Sequence, residues 1–502
     1  MKTLDVFNAP FKGFSLVEAS AGTGKTFNIT SLYIRAIIEQ NYVPSNILVL
    51  TYTEAATSEL KFRLRKRIKE SIGCLNGSFD QNDTFLQELK KRSNQDSIKL
   101  LKNALFSFDE AAVFTIHGFC QKLLREESLS FGVQTDFEII QDTTELIQDS
   151  VDAYWRKVVK EYSDTKMGQG LLGFLIDEKI TTDTLKSITE KIIAKPYANL
   201  LPDNELSTKV EAKKKRVKEL NEHLAYQWEE DSQRLHQTIF SGNLYKNSYK
   251  PDTFKEIWKV LENWVLSSKI HFKGFDKLEN FGREKIEKST LKDKEVEVPV
   301  FCDLVDEFLS EITDLDIIKA DFILKSIEQI SENITEQKEK KNALSFDDLL
   351  QKVESNLDED LTKKIAKQYP LALVDEFQDT DPIQYSIFNQ IYKNKEAAMF
   401  MIGDPKQAIY SFRGADLFTY FEATEDVLEE HQYSLNNNYR SNKKLISAVN
   451  SIYSRHSKPF VFDQPLFREV QFPENGNSKR LFRSGKEEHP LSIFDCNIDN
   501  AN

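Results

Sequence analysis

The chain has 502 residues, with 67 Lys and Arg against 80 Asp and Glu and a formal net charge of −13. That balance argues against coating nucleic acid through bulk charge, yet leaves room for a local basic groove, because salt screens exposed charges beyond about 8–10 Å. With 40% hydrophobic and 29% charged residues the chain is globular, and at roughly 100–200 residues per domain it has room for two to four domains.

No apolar run approaches the roughly 20 residues of a membrane span, and the opening MKTLDVFNAPFKGF lacks the apolar core of a secretory signal. The four cysteines, Cys74, Cys120, Cys302 and Cys496, have no metal-ligand spacing. A disulfide scaffold and a zinc ribbon are thereby disfavoured, and a reducing cytoplasm is the expected home.

The first 140 residues alternate. Ser15–Glu18 reads as a short strand, followed by a glycine turn and a helix to about Gln40. Asn46–Tyr52 (NILVLTY) has the length and branched content of a buried parallel strand, and a helix follows from Glu54. Ala112–Ile116 is another strand, with a helix opening near Gly118. Such alternation predicts an α/β fold with a doubly wound parallel sheet.

From about Asp142 the pattern changes to Lys/Glu-rich, glycine-poor sequence with apolar residues at helical spacing, as in TFKEIWKVLENWVL. Residues 142–341 are expected to form a helical insertion. Its run KKKRVK at Lys213–Lys218 could touch phosphate, although a solvated helix face is the plainer reading. Strands resume at Leu371–Asp375, Ala398–Gly403 and Tyr433–Leu435, with a helix at Asn442–Tyr453. Residues 1–141 and 342–453 are thus expected to share one sheet, and residues 454–502 read as irregular.

Ala19–Thr26 (ASAGTGKT) lies between a strand and a helix, in the pattern of a phosphate loop with Ala19 in place of the usual glycine. Ala19, Ser20, Ala21, Gly22, Thr23 and Gly24 would wrap backbone N–H groups around phosphate, helped by the helix N-terminus. Lys25 would meet the β- and γ-phosphates, and Thr26 would offer its hydroxyl to Mg2+. Asp375 and Glu376 end an apolar strand, at the sheet edge where ligands of open α/β folds bind. Asp375 suits Mg2+, and Glu376 suits a general base that polarises the attacking water.

Further blocks sit at other strand ends. GDPKQAIYSFRGAD (Gly403–Asp416) carries Gln407, a candidate γ-phosphate contact, with Tyr410 and Phe412 beside Arg413, suited to stacking unpaired bases. NNNYRS (Asn436–Ser441) sets Tyr439 beside Arg440, an aromatic face for adenine next to a guanidinium for phosphate. TYTEAA supplies Thr51 and Thr53 at a helix start that could hold a DNA phosphate. The helix beyond reads as an exposed face of Lys61, Arg63, Arg65, Lys66 and Arg67, and His117 in TIH suits backbone or base contact.

In this order, EASAGTGKTF, VLTYTEAATSELKFRLR, EAAVFTIHGFCQ, LSFDDLL, LVDEFQDTDPIQY, IGDPKQAIYSFRGAD and NYRS resemble superfamily 1 helicases of the UvrD/Rep type. Within that family the wording is similar to RecB-like subunits of bacterial helicase–nucleases, and to the related AddA subunits. The resemblance reaches to about residue 460. It implies an ATP- and Mg2+-dependent motor moving 3′→5′ on single-stranded DNA, built of two RecA-like lobes each with an inserted subdomain. It further implies loading at duplex ends, RecC- and RecD-like partners, and a role in recombinational repair of double-strand breaks. By matching position, Lys25, Thr26, Asp375 and Glu376 would serve ATP and Mg2+. Gln407 and Arg440 would reach the γ-phosphate, Tyr439 would stack on adenine, and Thr51, His117, Tyr410 and Phe412 would line the DNA track.

No segment after Ser454 resembles the later motifs of a second lobe or a nuclease domain. The expectation is therefore an N-terminal motor portion, truncated or interrupted, with an incomplete second lobe. It would bind ATP, hydrolyse it feebly without an arginine finger and not unwind DNA alone. The alternative is a non-catalytic remnant that binds DNA or a partner. A metabolic kinase is disfavoured, since the blocks after Asp375 would have no role in one.

Overall fold

Short runs of fully buried aliphatic residues, too brief for helices and flanked by turns, set the framework of the sheet. The computed structural model describes residues 1–78, 83–195, 204–245, 249–393, 396–409, 416–460, 467–474, 482–487, 489 and 491–492. Tyr410, Phe412 and Arg413 lie outside the described residues.

Strands β1 (Lys2–Thr3) and β2 (Gly13–Ala19) precede helix α1 (Lys25–Glu39). Then β3 (Ile47–Thr51) leads into α2 (Glu54–Leu75), α3 (Thr84–Arg92) and α4 (Gln95–Phe106), and β4 (Val113–Thr115) leads into α5 (Ile116–Glu126). A helical stretch follows: α6 (Thr144–Ser163), α7 (Lys166–Asp177), α8 (Thr182–Ile193), α9 (Asn204–Phe240), α10 (Pro251–Val265), α11 (Arg283–Lys288), α12 (Val300–Glu311) and α13 (Asp316–Lys340). Helices α14 (Phe346–Asn356) and α15 (Glu359–Gln368) return the chain to the sheet. Then come β5 (Leu371–Asp375), α16 (Pro382–Tyr392), β6 (Ala398–Gly403), α17 (Leu417–Glu425), β7 (Gln432–Leu435) and α18 (Lys443–Tyr453).

These seven strands form one parallel sheet, in the order β1–β7–β2–β6–β5–β3–β4. Among the described residues two further strand pairs, Glu138–Ile140 with Ala343–Ser345 and Phe482–Arg483 with Lys486–Glu487, lie outside it. The two-residue period of a strand divides their side chains between two cores. Leu48, Leu50, Ala372, Val374, Met399 and Met401 face a core completed by α5 and α14–α17. Ile47, Val49, Leu371, Leu373, Phe400 and Ile402 face another, completed by α1, α2 and α4. Each fully buried aliphatic or aromatic side chain contributes about 1.5–3 kcal/mol. With both faces covered, the strands read as continuous apolar runs, as parallel strands must.

The chain divides into two packed units, one of Met1–Ile139 with Leu344–Asn502, the other Ile140–Ala343. The second is helical and has two cores of its own. Helix α9, at 37 residues about 55 Å long, gives Val210 and Val217 to the first of these and Leu220, Leu224 and Trp228 to the second. Its KKKRVK run is only partly the solvated face read in the sequence: Lys215 and Lys218 are exposed, Lys213, Lys214 and Arg216 are half-buried, and Val217 is buried. Lys213 pairs with Glu311, Lys214 with Glu211, Lys215 with Glu219, Arg216 with Glu307, and Lys218 with Glu222.

On α2 one side chain departs from the exposed face read in the sequence. Arg67 is buried between the Phe27 and Phe85 rings, 4.7 and 4.9 Å from their centroids, and pairs with Asp83. Beyond α18 the described chain is not wholly irregular. Tyr453 stacks on Phe467, Asn450 bonds the Val470 carbonyl at 2.9 Å, and Gln471 bridges to Asn437 in parallel. Among the described residues no helix is long and apolar enough to cross a membrane.

Candidate nucleotide site

Strand β2 ends at buried Ala19, and the chain turns through Ser20–Gly24 before α1 starts at Lys25. Thr23 closes the turn on Ser20, donating from its N–H (3.1 Å) and its hydroxyl (2.7 Å) to the Ser20 carbonyl. Gly22 and Gly24 adopt φ of +80° and +93°, where a side chain would be strained. Gly22 also has no room: a Cβ there would lie 2.6 Å from Arg440 Cβ and 2.8 Å from Asn438 Oδ1.

The NNNYRS segment after β7 reaches the loop because β7 is the neighbour of β2, with Leu435 opposite Ala19. Tyr439 N–H donates to the Gly22 carbonyl (2.8 Å), and Asn438 Nδ2 donates to the Ala21 carbonyl (2.9 Å). The Tyr439 ring remains 67% exposed beside the loop. Arg440 is exposed too, and among the described residues no carboxylate pairs with its guanidinium.

Lys25 Nζ forms an ion pair with Glu376 Oε2, joining residues 351 positions apart. Glu376 sits at φ +52°, ψ +45°, a left-handed conformation costing a non-glycine residue roughly 1–2 kcal/mol. Such strain collects where geometry serves a site. Gln378 Nε2 donates to Glu376 Oε2 (2.9 Å), while its Oε1 accepts the Asp404 N–H (2.9 Å). Gly403 makes that approach possible, since a Cβ there would lie 2.6 Å from Gln378 Oε1.

Burial pushes Asp375 up to about 6, with the Glu376 charge adding to the rise and Lys25 opposing it. Asp379, 5% exposed, is likewise pushed up to about 6 by burial and then by Glu376. Three carboxylates around one ammonium leave a negative surplus that a divalent cation would offset, and half-buried Thr26 adds a hydroxyl near the loop's end. Among the described residues no three His, Cys, Asp or Glu cluster as a free-standing metal site. A cation here would therefore come with phosphate oxygens, as Mg2+ commonly does.

Gln407 donates to Asp404 Oδ2 (2.7 Å), so its amide connects to Glu376 through Asp404 and Gln378. Behind the loop, Lys406 Nζ lies 2.6 Å from Glu18 Oε1 and 2.7 Å from Asp404 Oδ1. The sequence reading passed over this triad and Asn438. The only hints were charged residues directly at the ends of apolar strands and the third Asn of a triplet.

The remaining candidates sit at other strand ends. Thr51 is 1% exposed, and its hydroxyl bonds Thr57 Oγ1 at 2.6 Å. Thr53 is exposed and caps α2 by accepting the Ala56 N–H (3.2 Å). A phosphate arriving here would meet the first-turn N–H groups of α2, not the Thr51 hydroxyl. His117, in the first turn of α5, packs edge-on against Phe346 with centroids 5.5 Å apart. Burial lowers its pKa, which favours the neutral ring.

A strand, a glycine turn opening a helix, and a carboxylate pair on a parallel strand's carboxyl end together define a phosphate-loop α/β fold. The model of the UvrD/REP helicase N-terminal domain matches residues 3–428, and the chain belongs to that family. It is 31% identical over 507 residues to the RecBCD enzyme subunit RecB of Buchnera aphidicola subsp. Schizaphis graminum. Identity is 30% over 521 residues to the same subunit of Escherichia coli (strain K12), and 30% over 555 residues to that of Haemophilus influenzae. These matches cover 98%, 98% and 99% of this chain and 42%, 42% and 44% of the relatives. The chain thus spans less than half the length of the curated relatives it matches.

Proposed function

We propose that this chain binds ATP with Mg2+ and forms the nucleotide-hydrolysing lobe of a 3′→5′ DNA motor in a RecBCD-like complex. In that setting it would act on duplex ends and single-stranded DNA, with RecC- and RecD-like subunits, in recombinational repair of double-strand breaks. The observation that carries this reading is the Lys25–Glu376 ion pair, which joins the phosphate loop to the acidic strand end.

Lys25 exchanges the Glu376 carboxylate for the triphosphate when nucleotide arrives. Glu376, released and still oriented by Gln378, takes a proton from the attacking water. Thr26 and Asp375 hold Mg2+, which supplies charge neutralisation at the phosphates. Gln407 and Arg440 meet the γ-phosphate, and Tyr439 offers its exposed ring to the base. The first turn of α2 and His117 face the DNA track.

ATP turnover by the purified chain, with and without single-stranded DNA, tests this. Glu376→Gln should keep ATP binding and lower turnover at least 100-fold, within the usual span for a general base. Lys25→Ala should abolish binding. Nucleotide binding with no turnover that DNA stimulates would favour the non-catalytic remnant instead.

A further inference from the structure

We propose that Asn438 is a positioning residue of the nucleotide site, fixing the phosphate loop and the Arg440 turn as one unit; the role rests on reading Ala19–Thr26 as the triphosphate cradle. Asn438 is buried, at 8% exposed, yet every polar atom of its side chain is used. Its Nδ2 donates to the Ala21 carbonyl, and its Oδ1 accepts the N–H groups of Arg440 and Ser441, each at 2.9 Å.

The first of these bonds acts on the loop. In a planar trans peptide the carbonyl and the next N–H point opposite ways. Holding the Ala21 carbonyl toward Asn438 therefore aims the Gly22 N–H away from Asn438. The Tyr439 N–H bond to the Gly22 carbonyl pins the following peptide from the same side. Asn438 thus decides where a phosphate would find the Gly22 donor.

The other two bonds act on Arg440. They fold residues 438–441 into a turn that presses Arg440 Cβ against Gly22, and so fix the root of the guanidinium relative to the loop. Among short side chains asparagine alone carries its donor and its acceptor on two separate atoms, as these contacts require. Aspartate keeps the acceptor but sets a carboxylate oxygen against the Ala21 carbonyl, and alanine loses both contacts. The strand-like backbone here is held separately. Asn438 N–H bonds the Gln471 carbonyl (2.8 Å) and Gln471 N–H bonds the Asn436 carbonyl (2.7 Å), so the side chain is not what keeps the segment in place.

The test is titration of fluorescent ATP, ADP and AMP into the 502-residue chain, its Asn438→Asp, Asn438→Ala and Lys25→Ala variants, with thermal melts of each. The expected result for Asn438→Asp is ATP binding weakened about 10-fold or more, which equals about 1.4 kcal/mol, with AMP within twofold of the unsubstituted chain. ADP should fall between, because it meets the loop but not the γ-phosphate contact of Arg440. Asn438→Ala should follow the same order. If both Asn438 variants bind ATP within twofold while Lys25→Ala fails, the positioning role is overturned and the phosphate-loop reading stands. Equal losses for all three nucleotides, or variants that melt before titration, would make Asn438 a folding residue and overturn it too. If the unsubstituted chain and Lys25→Ala bind ATP alike, the nucleotide reading falls and this role with it.

Discussion

Lys406→Met isolates the ionic triad behind the phosphate loop. The lysine, Glu18 and Asp404 side chains are 12%, 10% and 3% exposed, so little solvent screens them. Burial works against the ammonium, but Glu18 and Asp404 outweigh it and raise the Lys406 pKa. Methionine keeps the length and apolar stem while stranding two carboxylates between β2 and β6. Removing one partner of a buried ion pair costs about 3–5 kcal/mol. Arg468, whose Nε lies 3.4 Å from Glu18, offsets part of that, so the lower end, about 3 kcal/mol, is the expected loss. All four tryptophans (Trp155, Trp228, Trp258 and Trp264) lie in Ile140–Ala343 and would not report on the sheet. Amide hydrogen exchange resolved by segment is the suitable assay. Protection of β2 and β6 should fall about 100-fold while α6–α13 stay unchanged, and adding Glu18→Gln should restore part of it. A fall of less than threefold would refute the view that this lysine holds the two strand ends together.

Gly22→Ala should weaken ATP binding at least 10-fold in the same titrations, because the new Cβ would need to displace Arg440 and Asn438 at a positive φ. Asp379 and Asp381 are both pushed up to about 6, by burial foremost, so the folded chain holds their protons more tightly than the unfolded one. The stability linked to those protons is fully present below about pH 4 and is lost as pH rises through about 6. Asp379→Asn should accordingly lose less stability between pH 5 and pH 7 than the unsubstituted chain, read from thermal melts without nucleotide. Replacing Lys213, Lys214 and Lys215 together by Ala should change affinity for single-stranded DNA less than twofold at physiological salt, measured by fluorescence anisotropy. Their charges are already met by Glu311, Glu211 and Glu219.

Where the sequence is locally decisive it maps directly onto the fold. Leu371–Asp375 and Ala398–Gly403 are strands with the bounds their apolar runs suggest, and the glycine turn opens a helix at Lys25. Lys2–Thr3 was not legible, since two residues carry no period and acquire strand character only by pairing with Tyr433 and Ser434. Arg67 looked like one more basic residue on a helix face. Nothing local announces that Asp83, Phe27 and Phe85 will close around it. Gln407 carries the mark of a ligand contact in its motif, whereas its partner in the fold, Asp404, belongs to a network assembled from three strand ends. Motifs report chemistry that recurs at a site. The side chains that hold those motifs in register depend on the fold, and Asn438 among three asparagines carries no mark of its task.

The strand order also sets a timetable for synthesis. Among the described residues strand β2 pairs with β6 and β7, so the ribbon of Gly13–Ala19 leaves the ribosome before either neighbour is made. About 380 more residues must follow before β6 is complete, which at about 5–20 residues per second means roughly 20–80 s. Throughout that interval both edges of the nascent ribbon are open to chaperones or to other emerging chains. The last part of the cradle to arrive is also the part that shapes it.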